Sequence, residues 1–405
     1  MVNLHPMKHF SHLRSAAGIL LRYRGEQPFH HFIKDYFRQY KKYGSKDRKR
    51  ISGLCYAYFR LGASFPSMDM EDKILLGQFL CATQPDELLQ HLRPEWNDAV
   101  LQSVAEKCAL AGVAYEALTI FPFTDALSET IDPRAFRLSH LQQPDLFIRL
   151  RPGAEKSVRD KLDKAGLLYR RLSDSCLALS NAAKIDDLLQ PDREAVVQDY
   201  SSQRTGELMQ QAAATTTIRA VWDCCAASGG KSILARDLLG AIHLTVSDVR
   251  KQILVNLEKR FAAAGIKDYK RFVADLGADP TAGSGLVTPG SGLPTPDSSY
   301  DLIIADLPCS GSGTWGRTPE SLTFFKATDI DRYQSLQQRI VSNAFPRLKT
   351  GGCFLYITCS VFKKENEDMA AFIEKRLQAR LLRMDTLKGY DKKADTMFAA
   401  LFVRE

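Results

Sequence analysis

Apolar residues in the first 130 positions return every three or four places. Leu13, Ala16, Ala17, Leu20 and Leu21 make one stripe. Phe29, Phe32, Ile33, Tyr36 and Phe37 make a second, and Ile51, Leu54, Cys55, Ala57, Tyr58 and Leu61 a third. That period predicts amphipathic helices, so residues 1–130 are expected to form an all-helical domain. Thr124–Arg137 interrupts the pattern with polar residues and reads as a linker. Residues 131–195 predict a small α/β subdomain, with a strand at Leu146–Leu150 ending in a Pro-Gly turn and a helix in SVRDKLDKAG closed by Gly166. From residue 196 to 405 short apolar runs alternate with helical stretches. Strands are expected at Ala220–Asp223, His243–Ser247, Arg271–Ala274, Tyr300–Ala305, Cys353–Thr358 and Thr396–Arg404. This alternation predicts an α/β, doubly wound, Rossmann-like sheet. Gly277–Ser299 is rich in Gly, Pro, Ser and Thr and reads as a floppy surface insertion.

In such a sheet the carboxyl ends of the strands hold ligands. The first strand ends in DCCAASGGKS, Asp223 to Ser232. Its glycines let backbone approach a ligand, and the helix opening near Lys231 favours an anionic group. Asp248 ends the next strand, where a carboxylate suits a ribose diol. Asp275 ends the third and is placed for an adenine amino group. The turn is not a GxGxxG fingerprint. It is a near miss to a P-loop, because Gly230, Lys231 and Ser232 fit but Cys225 stands where the first Gly belongs; the apolar run into Asp306 even mimics the partner strand of an NTPase. An S-adenosylmethionine site fits better, since an NTPase leaves two further cysteines unexplained.

Those cysteines lie in DLPCSGSG (Cys309) and LYITCSVFKKENE (Cys359), each ending an apolar run and opening a polar turn. Free cysteines usually serve as small buried hydrophobes; two at one sheet edge point instead to covalent chemistry. A thiolate adding to carbon 6 of cytosine makes carbon 5 enamine-like and able to accept a methyl group. Such a scheme needs a nucleophile, an acid near ring N3 and a base. Asp306 is three residues before Cys309 and can reach N3 and the exocyclic amine, with Lys231 orienting it. Cys224 and Cys225 are expected to pack within the turn. Glu365 and Glu367 are candidates for acid–base work, but their position favours the start of the following helix.

Composition narrows the setting. The chain has 405 residues, 45% hydrophobic and 25% charged, as expected of two or three globular domains. No apolar stretch approaches a membrane span, and the N-terminus reads as mature sequence without a leader. Nine cysteines without a CxxC pair argue against a disulfide framework or a metal cluster, so no metal is expected and the reducing cytoplasm is. The net charge of +8 is uneven: residues 1–60 hold 13 Lys/Arg against 3 Asp/Glu, or +10, leaving −2 for the rest. Its centre is KKYGSKDRKR, with Lys41, Lys42, Lys46, Arg48, Lys49 and Arg50, interleaved with Tyr36, Phe37, Tyr40 and Tyr43. Cations beside aromatics suit phosphate contact and base stacking; the plainer alternative is a solvated helix face over core aromatics.

Taken together, these segments resemble the Sun/Fmu type of RNA 5-methylcytosine methyltransferases, and within it the RsmB-like 16S rRNA enzymes. The family's D-x-C-A-A-P-G-G-K-T appears as DCCAASGGKS, with Ser228 for Pro and Ser232 for Thr. Its D-A-P-C-S-G-x-G appears as DLPCSGSG, followed by TWGRTPE with Arg317, and its T-C-S-x-x-x-x-E-N-E as TCSVFKKENE. QDYSSQ (Gln198 to Gln203) and DTMFAALFVR match further elements. GSKDRKRISGLCYAYFRLG is similar to a stretch of the helical domain that such enzymes share with the transcription factor NusB.

The resemblance implies a class I methyltransferase domain over residues 196–405, the small α/β subdomain over 131–195, and a NusB-like RNA-binding domain over 1–130. It implies Cys359 as nucleophile and Cys309 as the thiol that assists product release, with Lys231 and Asp306 at the target base. S-adenosylmethionine would bind through Cys225, Ala226, Ala227, Ser228, Gly229, Gly230 and Lys231, with Asp248, Arg250, Asp275 and Asp306. The basic cluster and Arg317 would hold RNA, 16S rRNA or a small-subunit particle, and Trp315 either stacks near the base or packs. A monomer is expected. The competing readings are a tRNA cytosine-5 methyltransferase and a non-catalytic assembly factor that keeps the fold.

Overall fold

A computed structural model describes residues 5–278 and 300–405. The chain divides into two compact units. One runs to Asp125 and adds Asp132–Gln143 and Trp315–Lys326; the other holds Ala126–Ile131, Pro144–Thr314 and Ala327–Glu405.

The first unit is helical. Its longer helices are His5–Leu20, Phe29–Gln39, Ser45–Arg60 and Met70–Cys81, and most of the apolar stripe residues read from the sequence are buried, whereas Leu21 is exposed. Polar side chains set helix starts: Asp69 caps Met70–Cys81, Asp86 caps the short helix Glu87–Leu92, and Ser103 and Glu106 form a reciprocal capping box at Val104–Leu110. Pro133 opens a helix, Pro133–Ser139, capped by Asp132, inside the stretch expected to be a linker. Polar residues there serve a helix start rather than a flexible joint. The Arg60 guanidinium, 4% exposed, donates to the carbonyls of His140, Gln142 and Gly316 and to Gln143 Oε1. It thereby ties three sequence-distant segments of this unit together. Trp315 is buried there, packed against Phe121 and Phe325.

The second unit carries two sheets. The smaller has β1 (Leu146–Leu150), β2 (Tyr169–Arg171), β3 (Cys176–Leu179) and β4 (Ala195–Val197) in the order β2-β3-β1-β4, all antiparallel. The larger has β5 (Ala220–Asp223), β6 (His243–Asp248), β7 (Tyr269–Val273), β8 (Tyr300–Asp306), β9 (Leu348–Thr358), β10 (Ala379–Leu387) and β11 (Met397–Arg404). Its order is β10-β11-β9-β8-β5-β6-β7, with β5 to β9 parallel and β11 running antiparallel to its neighbours β9 and β10. This is the Rossmann-like architecture expected. The central strands are buried on both faces, which is why they read as continuous apolar runs.

The sequence reading does not include β10. It is an edge strand whose outward positions carry Arg380, Arg383 and Asp385, and a register shift between Leu381 and Arg383 breaks its alternation. Strand β9 begins five residues before the expected Cys353, since Leu348 pairs with Tyr300 across an irregularity in register. Residues 131–195 do not separate as a third compact unit. Asp132–Gln143 joins the helical unit, and the small sheet is tied to the large one by a buried ion cluster: Arg149 Nη1 and Arg151 Nη2 each lie 2.6 Å from Asp237, in the helix Gly230–Leu239. Of the low-complexity stretch, residues 279–299 lie outside the described residues. Among the described residues no helix is long and apolar enough to cross a membrane.

Asp237 is only 5% exposed and faces two guanidinium groups. Asp237→Ala strands both cations, a loss of about 3–5 kcal/mol. Denaturant titration of the variant should show that drop, and a change under about 1 kcal/mol would deny the cluster a structural role.

Candidate functional site

The order of the large sheet reverses between β5 and β8, and their carboxyl ends open a crevice where ligands bind in such sheets. A cavity of about 590 Å³ lies there, wholly within the second unit. Strand ends supply its polar wall: Cys225 and Ala227 after β5, Asp248 and Arg250 at β6, Asp275 after β7, Asp306 and Cys309 at β8, and Cys359 after β9. Val249, Leu276, Leu307, Pro308, Leu336 and Ile340 supply an apolar one.

The turn after β5 is shaped for close approach. Ala227 has φ +46° and Gly229 φ +85°, and a Cβ on Gly229 would sit 2.6 Å from the Phe261 ring. Only glycine is tolerated at that contact. The turn is fixed to the neighbouring strand, since Ala226 N donates to Ser247 O at 2.8 Å and Ala227 N to Asp248 Oδ2 at 3.0 Å. Asp248 also accepts from Arg250 N and Nε, at 2.9 and 3.0 Å. Both of its oxygens are therefore engaged, and the Arg250 side chain that engages them is 63% exposed.

Of the residues expected at the cofactor, the cavity gathers Cys225, Ala227, Asp248, Arg250, Asp275 and Asp306. Ala226, Ser228, Gly229 and Gly230 do not line it. The Ser228 carbonyl and hydroxyl accept from Arg260 Nη1, and Gly229 rests on Phe261 and Leu257, so this half of the turn faces the helix Lys251–Ala263. Lys231 is buried and donates to Asp306 Oδ2 at 2.8 Å, which orients that carboxylate at the cavity mouth. Cys224 is buried and Cys225 partly so, and both line the cavity.

Strand pairing brings the two distant cysteines together. Asp306 is in register with Ile357, so the loops leaving β8 and β9 run side by side. Cys309 Sγ and Cys359 Sγ lie 3.2 Å apart. The Cys309 thiol is held well above the usual thiol range by its contact with Cys359, by burial and by the nearby Glu365 carboxylate. Cys309 therefore keeps its proton at neutral pH.

The complete burial of two carboxylates, Asp223 and Glu365, is not foreseen by the sequence reading. Asp223 is fully buried; its Oδ2 accepts from Ser232 Oγ at 2.6 Å and its Oδ1 has no hydrogen-bond partner. Burial lifts its pKa to about 7. Glu365 is buried between the cysteine loops instead of starting a helix; Glu367 does open the helix Glu367–Arg376 and accepts from Ser128 Oγ. The signal for Glu365 lay in its spacing of six from Cys359, but its partners Ser310 and Gln337 are remote in sequence.

In the helical unit, Lys41, Lys42, Lys46 and Lys49 are exposed. Arg50 is paired with Asp86 and Glu87, and Arg48 Nε donates to the Tyr43 carbonyl, so these two are partly committed to the fold. Phe37 is buried, and Tyr36 and Tyr40 pack on each other under the Arg22 guanidinium. Arg317 is half-buried in the segment Trp315–Lys326 of the same unit.

Asp223 gives a pH test. Its folded pKa lies above the unfolded value of about 4, so the folded state binds the extra proton and the stabilising contribution fades as pH rises toward about 7. Asp223→Asn cannot ionise. Its melting temperature should therefore gain on the wild type between pH 5 and 8; parallel curves would place the Asp223 pKa elsewhere.

Residues 210–401 match the family described as 16S rRNA methyltransferase RsmB/F. A ribosomal RNA small subunit methyltransferase B from Yersinia enterocolitica is 28% identical over 198 residues, which are 49% of this chain and 42% of that protein. Its counterpart from Yersinia pseudotuberculosis is 29% identical over the same shares. The chain thus spans less than half the length of these curated relatives. Among solved structures, PH0851 matches with a TM-score of 0.66 at 18% identity, over 96% of this chain and 97% of that one. NSun6 from Pyrococcus horikoshii with SFG matches with a TM-score of 0.55 at 14% identity, over 70% and 97%. At these identities the structural likeness is one of fold.

Proposed function

We propose that this chain, whose residues 210–401 match the family described as 16S rRNA methyltransferase RsmB/F, is an S-adenosylmethionine-dependent RNA (cytosine-5-)methyltransferase acting on 16S rRNA. The observation that carries this reading is the pair of thiols 3.2 Å apart on the wall of a cavity that also presents Asp248 and Asp306. One covalent nucleophile next to one protonated thiol suits a reaction that must both attach and release a base.

The residues present fit a nucleoside-bearing cofactor. Asp248 offers a carboxylate for a ribose diol, Asp275 rims the cavity at the next strand, and Leu276, Leu307, Leu336 and Ile340 form an apolar slot for a flat base. When bound, S-adenosylmethionine supplies the electrophilic methyl group. The chain's own residues do the rest. The target cytosine leaves its stack at a cost of a few kcal/mol. Asp306, held by Lys231, accepts from the exocyclic amine and, in its acid form, gives ring N3 a proton that returns to it when the ring is restored. Cys359 Sγ adds to carbon 6, which makes carbon 5 nucleophilic. After methylation the carbon 5 proton leaves to a base and the Cys359–carbon 6 bond breaks, restoring the aromatic ring. Cys309 assists that release. Lys41, Lys42, Lys46 and Lys49 contact RNA phosphates.

Purified Cys309→Ser, incubated with S-adenosylmethionine and unmodified small-subunit rRNA, should accumulate a protease-sensitive protein–RNA adduct on a denaturing gel. Adding Cys359→Ala should abolish it. Methyl transfer by wild type without an adduct in the variant would sink the two thiol roles; no transfer with rRNA but transfer with tRNA would change the substrate. Asp248→Ala should weaken S-adenosylmethionine binding about tenfold or more by calorimetry, as the loss of a charge-assisted hydrogen bond does. Unchanged affinity would move the cofactor off this carboxylate.

A further inference from the structure

The two thiols stand on separate loops, and something must hold those loops in register. Glu365 is completely buried between them. Its Oε2 accepts from the backbone N of Ser310, the residue after Cys309, at 2.8 Å. Its Oε1 accepts from the hydroxyl of Ser360, the residue after Cys359, at 2.7 Å. One carboxylate thus touches both loops one residue beyond each sulfur.

We propose that Glu365 is the positioning residue that sets the Cys309–Cys359 separation; the inference rests on the methyltransferase reading given above. The surroundings make it a rigid bridge. Gln337 Nε2 donates to Glu365 Oε2 at 3.0 Å and to the Pro308 carbonyl at 3.1 Å, fixing the approach to Cys309. The Tyr356 hydroxyl donates to the Glu365 carbonyl at 2.5 Å. Asn366 brackets Cys359 itself, accepting from Thr358 Oγ1 at 2.7 Å and donating to the Ser360 carbonyl at 3.0 Å. Donors from Ser310, Ser360 and Gln337 converge on this one carboxyl group and fix it in place. Glu365 has no place in the cavity wall, so it acts through the thiols and not on substrate.

Removing the bridge should loosen the two cysteine loops while leaving Asp248 and Asp275, on other strand ends, in place. A displacement of about 1 Å at reacting atoms costs about a hundredfold in rate. The test reads thiol separation directly. Diamide, which takes two hydrogens from a thiol pair, is used to form the Cys309–Cys359 disulfide in the full chain, and the linked peptides are followed by mass spectrometry. Glu365→Ala should form that disulfide about tenfold or more slowly than wild type and lose about a hundredfold in single-turnover methyl transfer, with S-adenosylmethionine affinity unchanged. Glu365→Gln keeps the shape and can reach both loops, because the Ser360 hydroxyl can turn to accept; it should recover most of the disulfide rate. Wild-type disulfide and transfer rates in Glu365→Ala would overturn the proposal. An equal loss in both variants would overturn it too, since charge and not bridging would then carry the effect. Should Glu365→Ala fail to fold, Ser360→Ala removes one arm alone and should slow the disulfide in the same direction; no slowing would again refute the bridge. The disulfide assay needs no RNA. A wild type that forms the disulfide but methylates no RNA would refute the functional reading and leave the bridge to be decided on its own.

Discussion

The parallel pairing of β8 with β9 is the constraint on which the site depends. Asp306 faces Ile357 in that ladder, so the two loops that follow leave the sheet at the same height. A slip of one residue would turn every side chain of a strand to the opposite face. Here it would pull Cys309 and Cys359 apart and carry Asp306 away from Lys231. The burial of both faces of these strands fixes the register more firmly than any contact within the cavity. The chemistry of the site is thus set by the hydrophobic core beneath it.

What the chain order could reveal follows from this. The apolar runs ending in Asp223, Asp248 and Asp306 were legible as strands because they are buried on both sides, and the polar residue at each end marks the sheet edge. The cysteines could be read because each sits at such an edge. Strand β10 was not legible, because an edge strand exposes one side and carries Arg380 and Arg383 where a central strand would carry Val or Ile. The helix at Pro133 looked like a linker for a related reason: a short element made of cap residues has the composition of a turn.

The buried polar residues mark the other limit. Glu365 reads as a helix-start acid in TCSVFKKENE, and nothing nearby in sequence announces Ser310 or Gln337 as its partners. Asp223 belongs to a recognisable turn, yet its complete burial depends on β6 and β8 closing over it from both sides. The half of the Gly-rich turn that packs on Phe261 and Arg260 is likewise set by a helix some thirty residues away. Local patterns locate groups at an edge. Which way each group turns is decided by neighbours that the chain reaches later.

Asp248 offers one consequence beyond the geometry. Its carboxylate is already occupied by the Arg250 guanidinium two residues on. A diol arriving at Asp248 does not displace water alone; it competes with a tethered ligand whose effective concentration no dilution can lower. Raising the salt concentration weakens the tether as well as any charged newcomer. An uncharged hydroxyl pair would then gain on the guanidinium as ionic strength rises.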